Sequence, residues 1–192
     1  LEYTDAAIAD TVAQLNPGYF NLGQSSTRYL SLSYKIERDK RDYNVYPLTG
    51  HHFEMEIRKE GLRIFKNSVD MLDISAEFTK FWQLHNRWYL AGGLKLKASP
   101  FNTQAYYTQR GLGYKTDFVR GYELYVIDGQ YYGLAKTNIR FQPIKDRMIN
   151  LKFIKNKKVG LIPLSIFTSF HVDAGYVIDD KFTKGNPLSN RF

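Results

Sequence analysis

The chain contains no cysteine among its 192 residues, which excludes a disulfide framework and any thiolate metal or redox chemistry. It also lacks any apolar run near the roughly 18 residues of a membrane-spanning helix. Its mean hydropathy is −0.43, so a bundle of such helices is excluded. No helical period of 3.6 persists over three turns anywhere. There is no G-x-S-x-G nucleophile elbow, and Gly111-Leu112-Gly113 has neither the further glycine nor the helix of a phosphate loop. What is plentiful is aromatic: 16% of the residues, with 15 Tyr and 13 Phe, a composition that excludes a disordered chain. The chain opens in mid-pattern at Leu1-Glu2-Tyr3 with no initiating Met or signal peptide, as a fragment or a processed piece would.

Basic residues exceed acidic ones, 27 Lys and Arg against 19 Asp and Glu, for a formal charge of +8. Such a balance raises the question of a phosphate-bearing partner. The cations are spread along the chain and face nearby acids, as in Glu37-Arg38-Asp39-Lys40-Arg41-Asp42. That distribution reads as solvated strand positions rather than a nucleic-acid stripe, and no nucleic-acid partner is expected.

The dominant period is two. Leu30, Leu32, Tyr34 and Ile36 alternate with Ser31, Ser33, Lys35 and Glu37, and Phe53, Met55 and Ile57 with Glu54, Glu56 and Arg58. The pattern recurs over 72–79, 88–98, 135–142 and 164–174, with Phe167 and Thr168 as mismatches in the last. Six long strands are therefore predicted, and 1–16 is read as entering from a preceding one. A soluble sandwich alternates in the same way. Two features favour a transmembrane barrel. The strands approach the 9–11 residues that a tilted crossing needs. Aromatics also gather where strands are expected to end: Tyr29 and Tyr34, Phe81 and Trp82, Trp88 and Tyr89, Tyr131 and Tyr132, Tyr176. The connections alternate in length as well. Gln83-Leu84-His85-Asn86 reads as a tight turn and 39–50 as a compact one, whereas 99–130 is long and aperiodic, the arrangement of short turns on one side and long loops on the other. The predicted fold is thus all-β: a partial antiparallel transmembrane β-barrel in which 1–192 is one domain and 99–130 a long loop.

Within that loop stands Val119-Arg120-Gly121-Tyr122. Further on comes His171-Val172-Asp173-Ala174-Gly175, preceded by Phe170, and earlier Asp42 with Tyr46-Pro47-Leu48-Thr49-Gly50. In kind and order these three marks resemble the BamA/TamA superfamily of outer-membrane assembly barrels, the bacterial surface antigen family, over most of the chain. There a V-R-G-F/Y loop tip folds back into the barrel and its Arg meets the acid of an (F/G)-x-D-x-G strand, while a D…P-x-x-G turn joins two strands. The resemblance implies an extracellular loop entering the lumen, with Arg120 held by Asp173. It also implies a sixteen-stranded barrel in a Gram-negative outer membrane, of which about six to eight strands are here, the six clear ones matching the eighth through the thirteenth. The work implied is insertion or translocation of polypeptides, with outer-membrane lipids including lipopolysaccharide, client polypeptides and accessory lipoproteins as partners, and no cofactor. Two departures stand out. His171 occupies the place of the family's Phe or Gly, and the strand after the loop offers Lys136, Asn138 and Arg140 where a second acid is often found. Either Asp173 serves Arg120 alone, or Glu123 or Asp128 contributes from the loop. The parity of the last strand agrees independently, since Asp173 shares a face with His171 and Ser169.

Other constellations carry less. His51 and His52 are adjacent and point to opposite faces of a strand, so no metal site is assigned. His171 and Asp173 are spaced like part of a triad but lack a nucleophile. Glu54 with Glu56, and Asp73 with Glu77, sit among bases as in a hydrated wall rather than as a glycosidase pair. No catalytic residue is predicted. Two other classes stay open: a barrel that anchors or exports a fused enzyme domain, and a soluble basic β-barrel that binds lipid or nucleic acid.

Overall fold

A computed structural model describes residues 1–20, 23–62, 64–65, 69–100, 105–150 and 161–179. The fold is all-β. Seven strands form a single antiparallel sheet in strict sequence order: β1 (Glu2–Ala7), β2 (Ser26–Asp39), β3 (Gly50–Glu60), β4 (Met71–His85), β5 (Trp88–Ala98), β6 (Tyr131–Asn150) and β7 (Leu161–Ile178). Every neighbouring pair is joined by the next stretch of chain, as in a meander. Among the described residues β1 pairs with β2 alone and β7 with β6 alone, so the sheet is open at both edges. One short helix, α1 (Asp10–Leu15), lies between β1 and β2, and a single 3-10 turn (Tyr106–Thr108) lies between β5 and β6.

The alternating segments all fall on strands, which, β5 apart, run longer than the alternation alone indicates. β4 continues through Gln83, Leu84 and His85. The tight turn expected at 83–86 is therefore only Asn86-Arg87, closing a two-residue hairpin. Gln83 pairs with Tyr89 and His85 with Trp88, and the register shift between them leaves Leu84 as a bulge inside the strand. Tyr34, expected at a strand end, sits inside β2, and Trp82 inside β4. β6 tolerates Pro143 because the β6–β7 register breaks between Phe141 and Ile144, where a ladder N–H is not required. The long connections, 8–25, 61–70 and 99–130, share one end of the sheet. The other end carries 40–49 and 86–87, and residues 151–160 between β6 and β7 lie outside the described residues.

The two faces differ sharply in chemistry, and burial follows the opposite rule from a water-soluble sheet. One face carries Leu32, Tyr34, Ile36, Phe78, Leu94, Leu96, Phe170, Val172 and Tyr176, and all are exposed; Tyr34 keeps 66% of its surface and Phe170 69%. The other carries Glu37, Glu54, Glu56, Arg58, Asp73, Glu77, Lys95, Lys97, Lys136 and Asp173, and the long loop lies on it. Buried apolar residues occur on this polar face where the loop touches down. Leu112, Ile127, Tyr132, Leu134 and Val177 form one cluster, packed by Val119. Tyr29, Val69, Met71 and Ala105 form another, packed by Tyr107.

Candidate functional site

The 99–130 loop is fixed by contacts spread from β2 to β7. Near its start, Tyr107 Oη donates to Tyr29 Oη at 2.8 Å, and the Tyr107 ring stacks on Tyr19, 6.0 Å between centroids. Burial pushes the Tyr107 phenol well above its ordinary range, with the hydrogen bond to Tyr29 acting in the same direction, so the phenol stays neutral. In the middle, Leu112 and Ile127 bridge across the loop, and Tyr114 Oη donates to Asp128. Burial first, then Asp128, raises the Tyr114 phenol too.

At the tip, Val119 and Tyr122 close a β-turn, with Tyr122 N–H donating to the Val119 carbonyl at 2.9 Å. Gly121 stands at the third position of that turn with φ +90°, a left-handed conformation that favours glycine. Its N–H donates to Glu123 at 3.0 Å, which holds that carboxyl below the usual carboxylate range. Arg120, at the second position, is thereby aimed at β7. Its Nε donates to Asp173 Oδ2 at 2.6 Å, Nη2 to Oδ1 at 2.5 Å, and its backbone N–H to Oδ2 at 3.1 Å. This is the two-pronged fit of a planar guanidinium to a carboxylate, supplemented by a main-chain bond. Arg120 is one-third exposed at its side chain, whereas Asp173 keeps 3%. Arg120 Nη1 also meets His171 Nδ1. A guanidinium has no lone pair to accept with, so Nδ1 is the acceptor and the neutral His171 carries its proton on Nε2. Gly175 completes the fit: a Cβ there would stand 2.6 Å from the Leu112 Cδ1 and 2.9 Å from the Val119 Cγ2 methyl, so a larger residue would have to push those loop side chains aside. Tyr122 is half exposed beside Tyr125.

Of the two loop acids considered as further partners of Arg120, Glu123 binds Gly121 and Asp128 accepts from Tyr114. The carboxylate that meets the guanidinium is Asp173's. Lys136 lies opposite Asp173 in the β6–β7 register, donates to the Thr116 carbonyl at 3.1 Å, and sits over the Phe118 ring at 4.6 Å.

A second anchor was not read from the sequence. Asp117 accepts from Lys95 at 2.6 Å and from Tyr132 Oη at 2.8 Å, and its own carbonyl accepts from Gly113 N–H. Lys95 and Lys97 already face Glu77 and Asp73 of β4, each at 3.6 Å, so their parity calls for no further acid. Nothing local in the loop singles out Asp117 over Asp128.

At the opposite end the 40–49 turn folds back over the polar face. Asp42 accepts from Tyr43 and Leu48 N–H at 2.9 and 3.0 Å, and its N–H donates to the Thr49 carbonyl at 3.1 Å. Desolvation opposes ionisation of Asp42, but the backbone donors outweigh it and hold the carboxyl below its ordinary value. Gly50, at φ +103°, has no room for a Cβ against the Lys40 carbonyl. Pro47 is buried, and its carbonyl accepts from Arg140 Nη1 at 2.7 Å, while Tyr46 lies under that guanidinium at 4.4 Å. Phe167, a mismatch in the alternation, packs on Tyr46 and Tyr89, 5.1 and 6.2 Å between centroids.

The adjacent histidines diverge. His51 lies by Phe78 on the apolar face, and His52 meets Glu37 at 3.2 Å on the polar one. Glu37, Asp39 and His52 come within metal-ligand spacing, but Arg41 holds Asp39 and Lys35 holds Glu37, and no ion is assigned there. His171 and Asp173 both engage Arg120, which makes them loop anchors rather than an acid–base relay. No protein-family model matches the chain, and no curated protein matches it either.

Proposed function

We propose that this sheet is part of a transmembrane β-barrel of the BamA/TamA type in a bacterial outer membrane, assisting the insertion or translocation of polypeptides without covalent chemistry. The observation that carries the reading is the inverted burial: an apolar face left bare while the charged face is covered by the chain's own loop. Each large apolar side chain kept in water forgoes roughly 1.5–3 kcal/mol of burial, and a continuous face of them far exceeds the patches that monomeric soluble proteins expose. Hydrocarbon removes that cost, and antiparallel ladders satisfy the backbone as a lipid setting requires. Strands of 11 to 20 residues from β2 to β7 are long enough to cross with a tilt. The assignment to this type rests on the Arg120–Asp173 lock, whose loop would be a strut inside the lumen that keeps the strands in register. Lipids including lipopolysaccharide, client barrel polypeptides and accessory lipoproteins are the proposed partners.

The test has two arms. Alkaline carbonate should leave the protein with outer membranes, and release into the supernatant would refute the membrane assignment. Vesicles containing the protein should accelerate the folding of an unfolded barrel client. Membrane-integral protein with no such acceleration would point to a passenger anchor instead.

A further inference from the structure

The apolar face is not uncharged throughout. At the short-turn end its parity passes from Leu32, Tyr34 and Ile36 to Arg38 and, one step past the strand, Lys40. The pairing extends to this step, since Lys40 N–H donates to the His51 carbonyl at 2.9 Å. His51 in turn lies opposite Lys80 in the β3–β4 register. Lys40, His51 and Lys80 therefore form one lateral row on three adjacent strands, with Arg38 one row above. Lys80 Nζ sits 5.2 Å from the centroid of the Trp82 ring, which fixes its stem on the outward side.

The row lacks its counter-charge. No carboxylate of β2, β3 or β4 has the outward parity; Glu37, Asp39, Glu54, Glu56, Asp73 and Glu77 all face the other way. Among the described residues Arg38, Lys40 and Lys80 form no ion pair. Trp82 stands next to the row on β4, and Trp88 lies farther toward the same end on β5; both are exposed, and they are the two tryptophans of the chain. Indole rings take the headgroup level of a bilayer, where a long cationic side chain can lay its stem on hydrocarbon and hold its charge in the polar layer.

We infer that this row binds the phosphate of an anionic glycerophospholipid in the leaflet at the short-turn end. The inference rests on the membrane reading given above and adds the headgroup charge it selects. Each cation near an anionic headgroup layer is worth about 1 kcal/mol, which converts to roughly fivefold enrichment. With overlapping headgroups shared by the row, enrichment of about fivefold or more over a zwitterionic lipid is expected.

Trp82, in contact with Lys80, reports on this place directly, and Trp88 on the same end of the face. The protein is reconstituted in phosphatidylcholine vesicles that contain a fixed fraction of either brominated phosphatidylglycerol or brominated phosphatidylcholine, and tryptophan quenching is compared. The expected result is stronger quenching by the brominated phosphatidylglycerol. The ratio should fall to unity in the Arg38→Gln/Lys40→Gln/Lys80→Gln variant, and in the wild type at high salt, where screening shortens the reach of the charges. The salt arm needs no variant and reads the same interaction if the triple substitution does not fold. Equal quenching of the wild type by both lipids overturns the headgroup site and leaves the barrel intact. Quenching by neither lipid overturns the membrane reading itself.

Discussion

Replacing Arg120 by Ala tests the lock most directly. The substitution removes the Nε and Nη2 bonds to Asp173, at 2.6 and 2.5 Å, and the Nη1 contact with His171, but it keeps the backbone N–H bond at 3.1 Å. What is left is a carboxylate with 3% side-chain exposure and one donor. Stranding one partner of a fully buried pair costs about 3–5 kcal/mol. Two features lower that figure here. Arg120 is one-third exposed, and Lys136, across the ladder from Asp173, supplies a second positive charge. A loss of about 2–3 kcal/mol is therefore expected. Asp173→Ala should cost less, because the guanidinium it leaves behind can reach water. The pair should show a coupling of at least about 1 kcal/mol in a double-mutant cycle, measured by equilibrium urea unfolding in lipid vesicles. Additivity within about 0.5 kcal/mol would mean that the two side chains do not act on one another, and the strut would then have to be abandoned.

Three further perturbations probe other parts of the molecule. Leu94→Arg on the bare face should cost about 2–4 kcal/mol if that face meets lipid near the bilayer midplane, whereas a change within about 0.5 kcal/mol, normal for a water-exposed position, would contradict the membrane reading; the same urea titration decides. Asp117→Ala removes the acceptor shared by Lys95 and Tyr132, so limited proteolysis should cut within 99–130 at least several times faster than in the wild type while the strands stay protected; an unchanged cleavage rate would show that Asp117 does not hold the loop. Asp42→Ala deletes the acceptor of two turn N–H groups and should cost about 1–2 kcal/mol. Because the Asp42 carboxyl is held below its ordinary value, its contribution is present above about pH 4, and it is lost as the pH falls through the lower folded value. The Asp42→Ala variant should accordingly lose less stability than the wild type on acidification, and equal losses would count against the turn role.

The alternation of Leu30 to Glu37 or Phe53 to Arg58 already divides the chain into two kinds of face, since the side a strand residue takes depends only on its parity. The shared face of His171 and Asp173 was legible for the same local reason, and the length of 99–130 from its lack of any period. Strand ends were less so: Gln83–His85 reads as a turn by composition, but its neighbours across the ladder, Trp88 and Tyr89, keep it in β4. Which residues of the loop would touch the polar face, and where, was decided only in three dimensions. The choice of Asp117 for Lys95 and Tyr132, of His171 as the second partner of Arg120, and of Tyr46 and Tyr89 for the out-of-phase Phe167 joins residues far apart in the chain. Such contacts depend on the register of several strands at once and on the path of a loop without a period, and neither is written in any short stretch of sequence.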